Sequence, residues 1–371
     1  MTAPSSIANT KAQYEELESD LSRYLESTEN TSSLQQDFDA LALRVFQFQY
    51  LHNRPYQKWC HHRGITAPCT VTRWQDIPAV PTSAFKDSGL QLNCFPPDCL
   101  ATIFKTSGTT SDQHKRGSHG FHSTKLYKHS IMQAWQQLRL PENLPCLFLT
   151  QSSQDAPSSS LSYMMRVLAD RSSKISITDQ PFFITAQGEL DSARLIKICQ
   201  SLDQPILILG TALAFLHLIE SLVTKSMGLP LPDGSALLET GGYKGSGRHL
   251  QKNDFYQQLS QTFSLPSSCI HNEYSMTELS SQFYTAGLNQ AHRAPHWTRV
   301  QVIDPTTRLA VEPGETGHLQ FLDLANLGSV AALRTEDLAT ATTSSQSFKL
   351  LGRDPSALPR GCSRSTDEML D

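Results

Sequence analysis

The stretch FKTSGTTSDQHKRGSH, Phe104 to His119, frames the reading of the whole chain. A strand-like apolar run enters Ser107-Gly108-Thr109-Thr110, and a helical segment follows later. Glycine lets backbone N–H groups approach an anion closely, and hydroxyls add donors without bulk. Such a loop suits phosphate. It is not a Walker A loop, because the GKS or GKT ending is absent. A plain polar turn is the competing reading of the same residues.

Working outward, short apolar runs alternate with helical segments from about residue 100. LATIFKT (100–106), PCLFLT (145–150), SKISIT (173–178), PILILG (205–210) and SALLETGG (235–242) predict strands. Helices are expected near 123–139, 158–170, 191–201, 211–226 and 248–262. This alternation implies βαβ units and a mostly parallel sheet with flanking helices, an α/β class. Upstream, Tyr14, Leu17, Leu21 and Leu25 share one face of a helix over about 11–28. A second helix over about 35–50 carries Leu41, Val45, Phe46 and Phe48. Prolines in DIPAVPTSAFKD (76–87) exclude a continuous helix there. From about 291, HWTRVQVID, GHLQFLDL and SVAALRTEDL are strand-like runs, a smaller β-rich element, and TATTSSQS (340–347) reads as a loop. The expected division is a helical segment at 1–75, an α/β core at 76–290, and a β-rich part with a tail at 291–371.

Composition narrows the function. A net charge of -4 over 371 residues gives no reason to expect nucleic acid as a partner. The polar start MTAPSSIANTKAQYEELESD has no apolar signal core, and a cytoplasmic location is expected. ILILGTALAFLHLIESLV (206–223) is interrupted by His217 and Glu220, and Gly210-Thr211 punctuates a strand and a helix, so no membrane span is expected. The eight cysteines include no CxxC pair. Neither Cys94 with Cys99 nor Cys60-His61-His62 matches a structural zinc site. His114, His119 and His122 could hold a metal, but no carboxylate completes the set, and a solvated loop is the favoured reading.

Three further stretches carry chemistry. In ETGGYKGSGRHL (239–250), Gly241-Gly242 would let a ligand lie against the backbone at a strand's carboxyl end; a simple strand-to-helix turn is the alternative. In HNEYSMTELSS (271–281), Tyr274 could stack on a base, Thr277 donate to a phosphate and Glu278 ligate magnesium. In RTEDLA (334–339) and LGRDP (351–355), Asp337 could accept from ribose hydroxyls, and Arg353 could reach the ribose or a phosphate. Taken singly, each is ambiguous.

Their order is specific. TSGTT, GGY, YSMTE, TEDL and GRD in series resemble the adenylate-forming superfamily. FKTSGTT, ETGGYKGSGR, YSMTE, RTEDLA and GR…RGCS, with DIPAVPTSAFK upstream, resemble more narrowly the LuxE-type acyl-protein synthetases, or long-chain-fatty-acid–protein ligases, over about 76–365. The resemblance implies the N-terminal-type fold of adenylate-forming enzymes, and ATP with Mg2+ activating a carboxylic, fatty acid to acyl-AMP. It implies that Ser107, Gly108, Thr109 and Thr110 hold phosphates, that Gly241 and Gly242 let the nucleotide lie against the backbone, and that Tyr243 and Tyr274 line the adenine pocket. Thr277 would contact the α-phosphate, Glu278 the metal, and Asp337 and Arg353 the ribose side. Ser111 and Ser275 stand where the wider family carries glycine.

Ordinary members continue past Gly-Arg-Asp into a mobile domain bearing a catalytic lysine. This chain runs nineteen residues beyond Gly352 (371 − 352). Lys115, Arg116 or Lys244 are the candidate replacement cations. Cys362, flanked by Arg360 and Arg364 that would favour its thiolate, is implied as the acyl acceptor. An acyl-CoA/acyl-protein reductase is then implied as the partner taking the acyl group. Transfer to coenzyme A or a carrier protein, and a non-catalytic binding homologue, are the rival readings.

Overall fold

Alternation along the central strands builds two cores. Cys146 and Phe148 pack into one, Leu147 and Leu149 into the other. Leu207 and Leu209 divide in the same way from Ile208, and Ala236 and Leu238 from Leu237. Strands buried on both faces read as continuous apolar runs, which is how these appear in the sequence.

The computed structural model describes residues 4–27, 31–87, 89–106, 116–241, 250–356 and 369. It opens with helices α1 (Pro4–Glu26), α2 (Thr31–His52) and α3 (Arg54–His61), then strands β1 (Val80–Pro81), β2 (Thr102–Lys105) and β3 (Ser118–Phe121). Next come α4 (Lys125–Gln137), β4 (Cys146–Leu149), α5 (Ser160–Ser172), α6 (Ser192–Gln200), β5 (Leu207–Thr211), α7 (Ala212–Thr224), β6 (Ala236–Thr240), α8 (Lys252–Phe263) and β7 (Ile270–Tyr274). The chain continues through β8 (Phe283–Ala286), β9 (His292–Arg293), β10 (Thr298–Ile303), β11 (Thr316–Asp323), β12 (Ala332–Ala341) and β13 (Ser347–Arg353).

Among the described residues, eleven strands form one sheet in the order β10-β11-β12-β13-β9-β8-β7-β6-β5-β4, with β1 beside β12. β4 to β7 run parallel, and the other half is antiparallel apart from β1 on β12. β2 and β3 form a separate antiparallel hairpin. Side chains of α6, α7 and α8 fill one core of the parallel half, and α4 and α5 contribute to the other. The N-terminal helices pack onto that second core. Tyr14 meets Phe95 edge to face at 5.3 Å. Gln49 of α2 donates to the carbonyls of Asn326 (2.8 Å) and Leu327 (3.0 Å) and accepts from the Ala331 amide (2.9 Å).

Thr211 explains the punctuation at 210–211. It ends β5, and its hydroxyl accepts from the Ala214 amide at 3.1 Å, capping α7. Among the described residues, no helix is long and apolar enough to cross a membrane. The strand expected at 173–178 does not form. Ser173–Ile175 is a 3-10 turn, and Ile175 is exposed. The edge of β4 is instead covered by the next apolar residues, where Phe182 stacks on Phe148 at 5.0 Å and Phe148 exchanges backbone bonds with Pro181 and Phe183. Two isoleucines separated by polar residues offered less apolar area than this Phe-Phe pair.

Gly317 lies where β11 passes β10. A Cβ there would stand 2.3 Å from the Ile303 carbonyl oxygen. Gly317→Ala should therefore destabilise the fold by about 2 kcal/mol, measured as a lower urea midpoint at unchanged m-value.

Candidate functional site

The parallel strands end at one edge, and described residues of two of the motifs lie there. Gly241 follows β6 directly, and Thr277 and Glu278 lie just beyond β7. Open α/β sheets bind ligands outside the carboxyl ends of their strands. The β2–β3 hairpin reaches the same edge. Thr106 and Gly117 close the base of its loop: the Thr106 amide donates to Gly117 (2.9 Å), and the Gly117 amide donates to the Thr106 hydroxyl (2.8 Å). The Lys105 amide donates to the Ser158 carbonyl at 2.8 Å, so the hairpin touches the start of α5. The Ser160 hydroxyl lies 3.4 Å from that of Thr277.

Tyr274 and Asp337 come from motifs far apart in sequence, and the Tyr274 hydroxyl donates to Asp337 Oδ2 at 2.8 Å. Tyr274 is buried among Phe283, Phe321 and Phe348. Burial first, then the Asp337 charge, raise its phenol well above the ordinary range, and Glu278 lies close enough to add to that effect. Asp337 reaches Tyr274 because β12 is bulged. His318 pairs with Leu338 and Gln320 with Arg334, so the residues from Thr335 to Asp337 oppose Leu319 alone. Bulges re-aim side chains in this way. On the other side Asp337 pairs with Arg353, and a second irregularity leaves Leu351 outside the ladder. Gly352, at φ +112, sits there in a conformation that L side chains rarely adopt. The Arg353 guanidinium lies on Glu336 at 2.7 Å, at the exposed surface.

The segment joining β7 to β8 is held from several sides. Asp323 accepts from the Ser280 amide (2.8 Å) and the Ser281 hydroxyl (2.7 Å). Asn326 donates to the Glu278 carbonyl at 2.9 Å, and His119 Nδ1 lies 2.8 Å from the Thr277 carbonyl. Glu278 itself is buried. Asp323, Asn326 and Ser160 were not singled out in the sequence. The available signal was two polar residues inside the otherwise apolar LDLANL.

Ser107, Gly108, Thr109, Thr110, Lys115, Gly242, Tyr243, Lys244 and Cys362 lie outside the described residues. Arg116 is exposed at the end of the hairpin loop. Of the three histidines grouped in the sequence, His114 lies outside the described residues, His122 bonds the Cys99 carbonyl at 2.7 Å, and His119, expected in a loop, is buried on β3. Among the described residues, no three His, Cys, Asp or Glu side chains cluster as a metal site.

Comparison with known proteins gives a consistent picture. The family model described as acyl-protein synthetase, LuxE, matches residues 18–371. A long-chain-fatty-acid–luciferin-component ligase of Vibrio harveyi is 23% identical over 309 residues, covering 79% of this chain and 76% of that one. An open conformation of 2-hydroxyisobutyryl-CoA ligase, solved with 2-HIB-AMP and CoA, superposes with a TM-score of 0.63 at 15% identity, over 89% of this chain and 75% of that one. The same ligase in its postadenylation state gives 0.62 at 16% identity, over 85% and 67%. These likenesses establish the fold: that of adenylate-forming enzymes.

Behind the strand ends lies a buried polar knot. Tyr256 (3.0 Å) and Asn272 (2.7 Å) both donate to Glu239 Oε1, and His292 Nε2 donates to Asn272 Oδ1 at 2.6 Å. Burial pushes the Glu239 carboxyl up to about 7, against the opposing pull of Lys252 and the two donors. The unfolded chain therefore ionises first as pH rises, and this group lowers stability progressively between its ordinary value and about 7. Glu239→Gln, which does not titrate, should be stabilising by about 2 kcal/mol at pH 8, with the gain shrinking towards pH 5 in parallel urea titrations.

Proposed function

The chain belongs to the LuxE family of acyl-protein synthetases, and from that premise we propose that it activates a fatty acid with ATP and carries the acyl group on Cys362. A ligase activity that activates an acyl group follows from the family and the adenylate-forming fold. The observation that supports the residue assignment best is the Tyr274–Asp337 bond with Glu278 beside it, at the carboxyl ends of the strands. That bond joins two motifs otherwise separated by 63 residues.

In the first step the substrate carboxylate attacks the α-phosphorus of ATP. The bond to the bridging oxygen breaks, pyrophosphate leaves, and acyl-AMP forms. Ser107, Gly108, Thr109 and Thr110 hold the departing phosphates, and Thr277 donates to the α-phosphate. Gly241, Gly242 and Tyr243 line the adenine pocket with Tyr274, which also orients Asp337 towards the ribose; Arg353 stands beside it. Magnesium is bound through one or two carboxylates together with substrate phosphates, and the buried carboxylate of Glu278 fits that role. When present it supplies positive charge against the phosphates. In the second step the Cys362 thiolate attacks the acyl carbon, the mixed anhydride breaks, AMP leaves and a thioester remains. The acyl group then passes to an acyl-protein reductase. In this scheme residues 1–75 support an adenylate-binding core at 76–290, and 291–371 supply the β-rich part and the tail. Arg353 ends the last strand, and Met369 is buried in the main core.

Incubation with ATP, magnesium and a mixture of straight-chain acids, followed by intact-mass measurement, should show a hydroxylamine-labile acyl adduct. Cys362→Ala should lose the adduct and keep acid-dependent ATP–pyrophosphate exchange. Equal labelling of wild type and variant would overturn the thioester assignment, and a CoA thioester in place of the adduct would favour transfer to coenzyme A. Glu278→Gln should slow exchange by roughly 100-fold. Tyr274→Phe, which removes the hydrogen bond to a charged Asp337, should raise the KM for ATP roughly tenfold with a smaller effect on kcat.

A further inference from the structure

His119 and Asn326 approach the Thr277–Glu278 pair from opposite parts of the chain. A carbonyl only accepts, so at 2.8 Å from the Thr277 oxygen His119 Nδ1 carries the proton and donates. The imidazole is buried, and Phe85 packs against it edge-on at 5.5 Å while Phe121 meets it at 4.3 Å. It has little freedom to turn. Burial pushes His119 down to about 4, against the Thr277 carbonyl and the neighbouring Asn326, so the ring is neutral near pH 7. The Asn326 amide divides its two protons between the Glu278 carbonyl and the Val330 carbonyl, each at 2.9 Å. Gln49 of α2 anchors the Asn326 backbone in turn.

We propose that His119 and Asn326 are positioning residues that fix the consecutive carbonyls of Thr277 and Glu278, and so aim the Thr277 hydroxyl and the Glu278 carboxylate at a magnesium–nucleotide. This rests on the roles assigned above to Thr277 and Glu278. His119 lies two residues past Gly117, so one short hairpin ties the Thr106–Gly117 closure to the position of Thr277. Groups that orient a metal ligand typically change metal affinity 10- to 100-fold when removed. The same is expected here, without contact between either residue and the nucleotide.

Calorimetric binding of ATP to the full chain, with magnesium and then with EDTA, tests this without needing the acid substrate. His119→Leu and Asn326→Asp should weaken binding of MgATP about tenfold. Binding of ATP in EDTA should change far less. His119→Asn, which places an amide donor near Nδ1, should recover most of the magnesium-dependent affinity. A purely structural role would lower the melting temperature and the binding stoichiometry and leave the ratio of the two affinities unchanged, which would overturn the proposal. Glu278→Gln and Thr277→Val serve as references. If those two bind MgATP as the wild type does, or if the wild type does not bind it, the site assignment itself fails. If they weaken binding while folded His119→Leu or Asn326→Asp keeps the wild-type ratio, the positioning role alone fails.

Discussion

The carboxylate of Asp323 is the constraint on which the candidate site depends. It is buried at the end of β11 and accepts hydrogen bonds from the Ser280 amide, the Ser281 hydroxyl and the Ala325 amide at 2.7 to 3.0 Å. A buried carboxylate without such donors would be costly. Burial still pushes Asp323 up to about 6, and its hydrogen bonds oppose that rise. Ser281 in turn accepts from Trp297 Nε1 (2.9 Å) and from Ser130 of α4 (3.2 Å). One side chain thus gathers a helix, the start of β10 and the segment after β7 that carries Thr277 and Glu278. It also determines where the following turn begins, and that turn supplies Asn326.

The second constraint is the joining of unlike halves of one sheet. β4 to β7 bring their carboxyl ends to a common edge, because parallel strands separated by helices must all point the same way. The antiparallel half cannot contribute by that rule. It contributes through the β12 bulge, which turns Asp337 to the Tyr274 hydroxyl. Gly352 permits the matching irregularity in β13, and it is the glycine of the Gly-Arg-Asp signature. The motif glycine thus has a backbone reason for its place.

Much of the fold was legible in the residues. The runs at 145–150, 205–210 and 235–242 became β4, β5 and β6, since continuous apolar character is what burial on both faces demands. The run at 173–178 misled, because two isoleucines could not compete with Phe182 and Phe183 for the edge of β4. For the candidate site, the motif order marked Tyr274, Thr277, Glu278 and Asp337, but nothing local marked Asn326 or Asp323, and His119 stood out only as one of three neighbouring histidines. Each works through a backbone group of a distant segment, and backbone groups leave no trace in the identity of the residue that carries them.

The amino-acid sequence by itself determined the α/β alternation, the absence of a continuous helix through 76–87 and the succession of motifs that places the chain among acyl-protein synthetases. These follow from side-chain periodicity and residue type, which are local properties. The tertiary structure alone decided that Tyr274 bonds Asp337, that Arg353 lies on Glu336, and that the Thr277 and Glu278 carbonyls are held by His119 and Asn326. Those contacts depend on strand register and on a bulge, and both arise only when segments tens to hundreds of residues apart pack against one another.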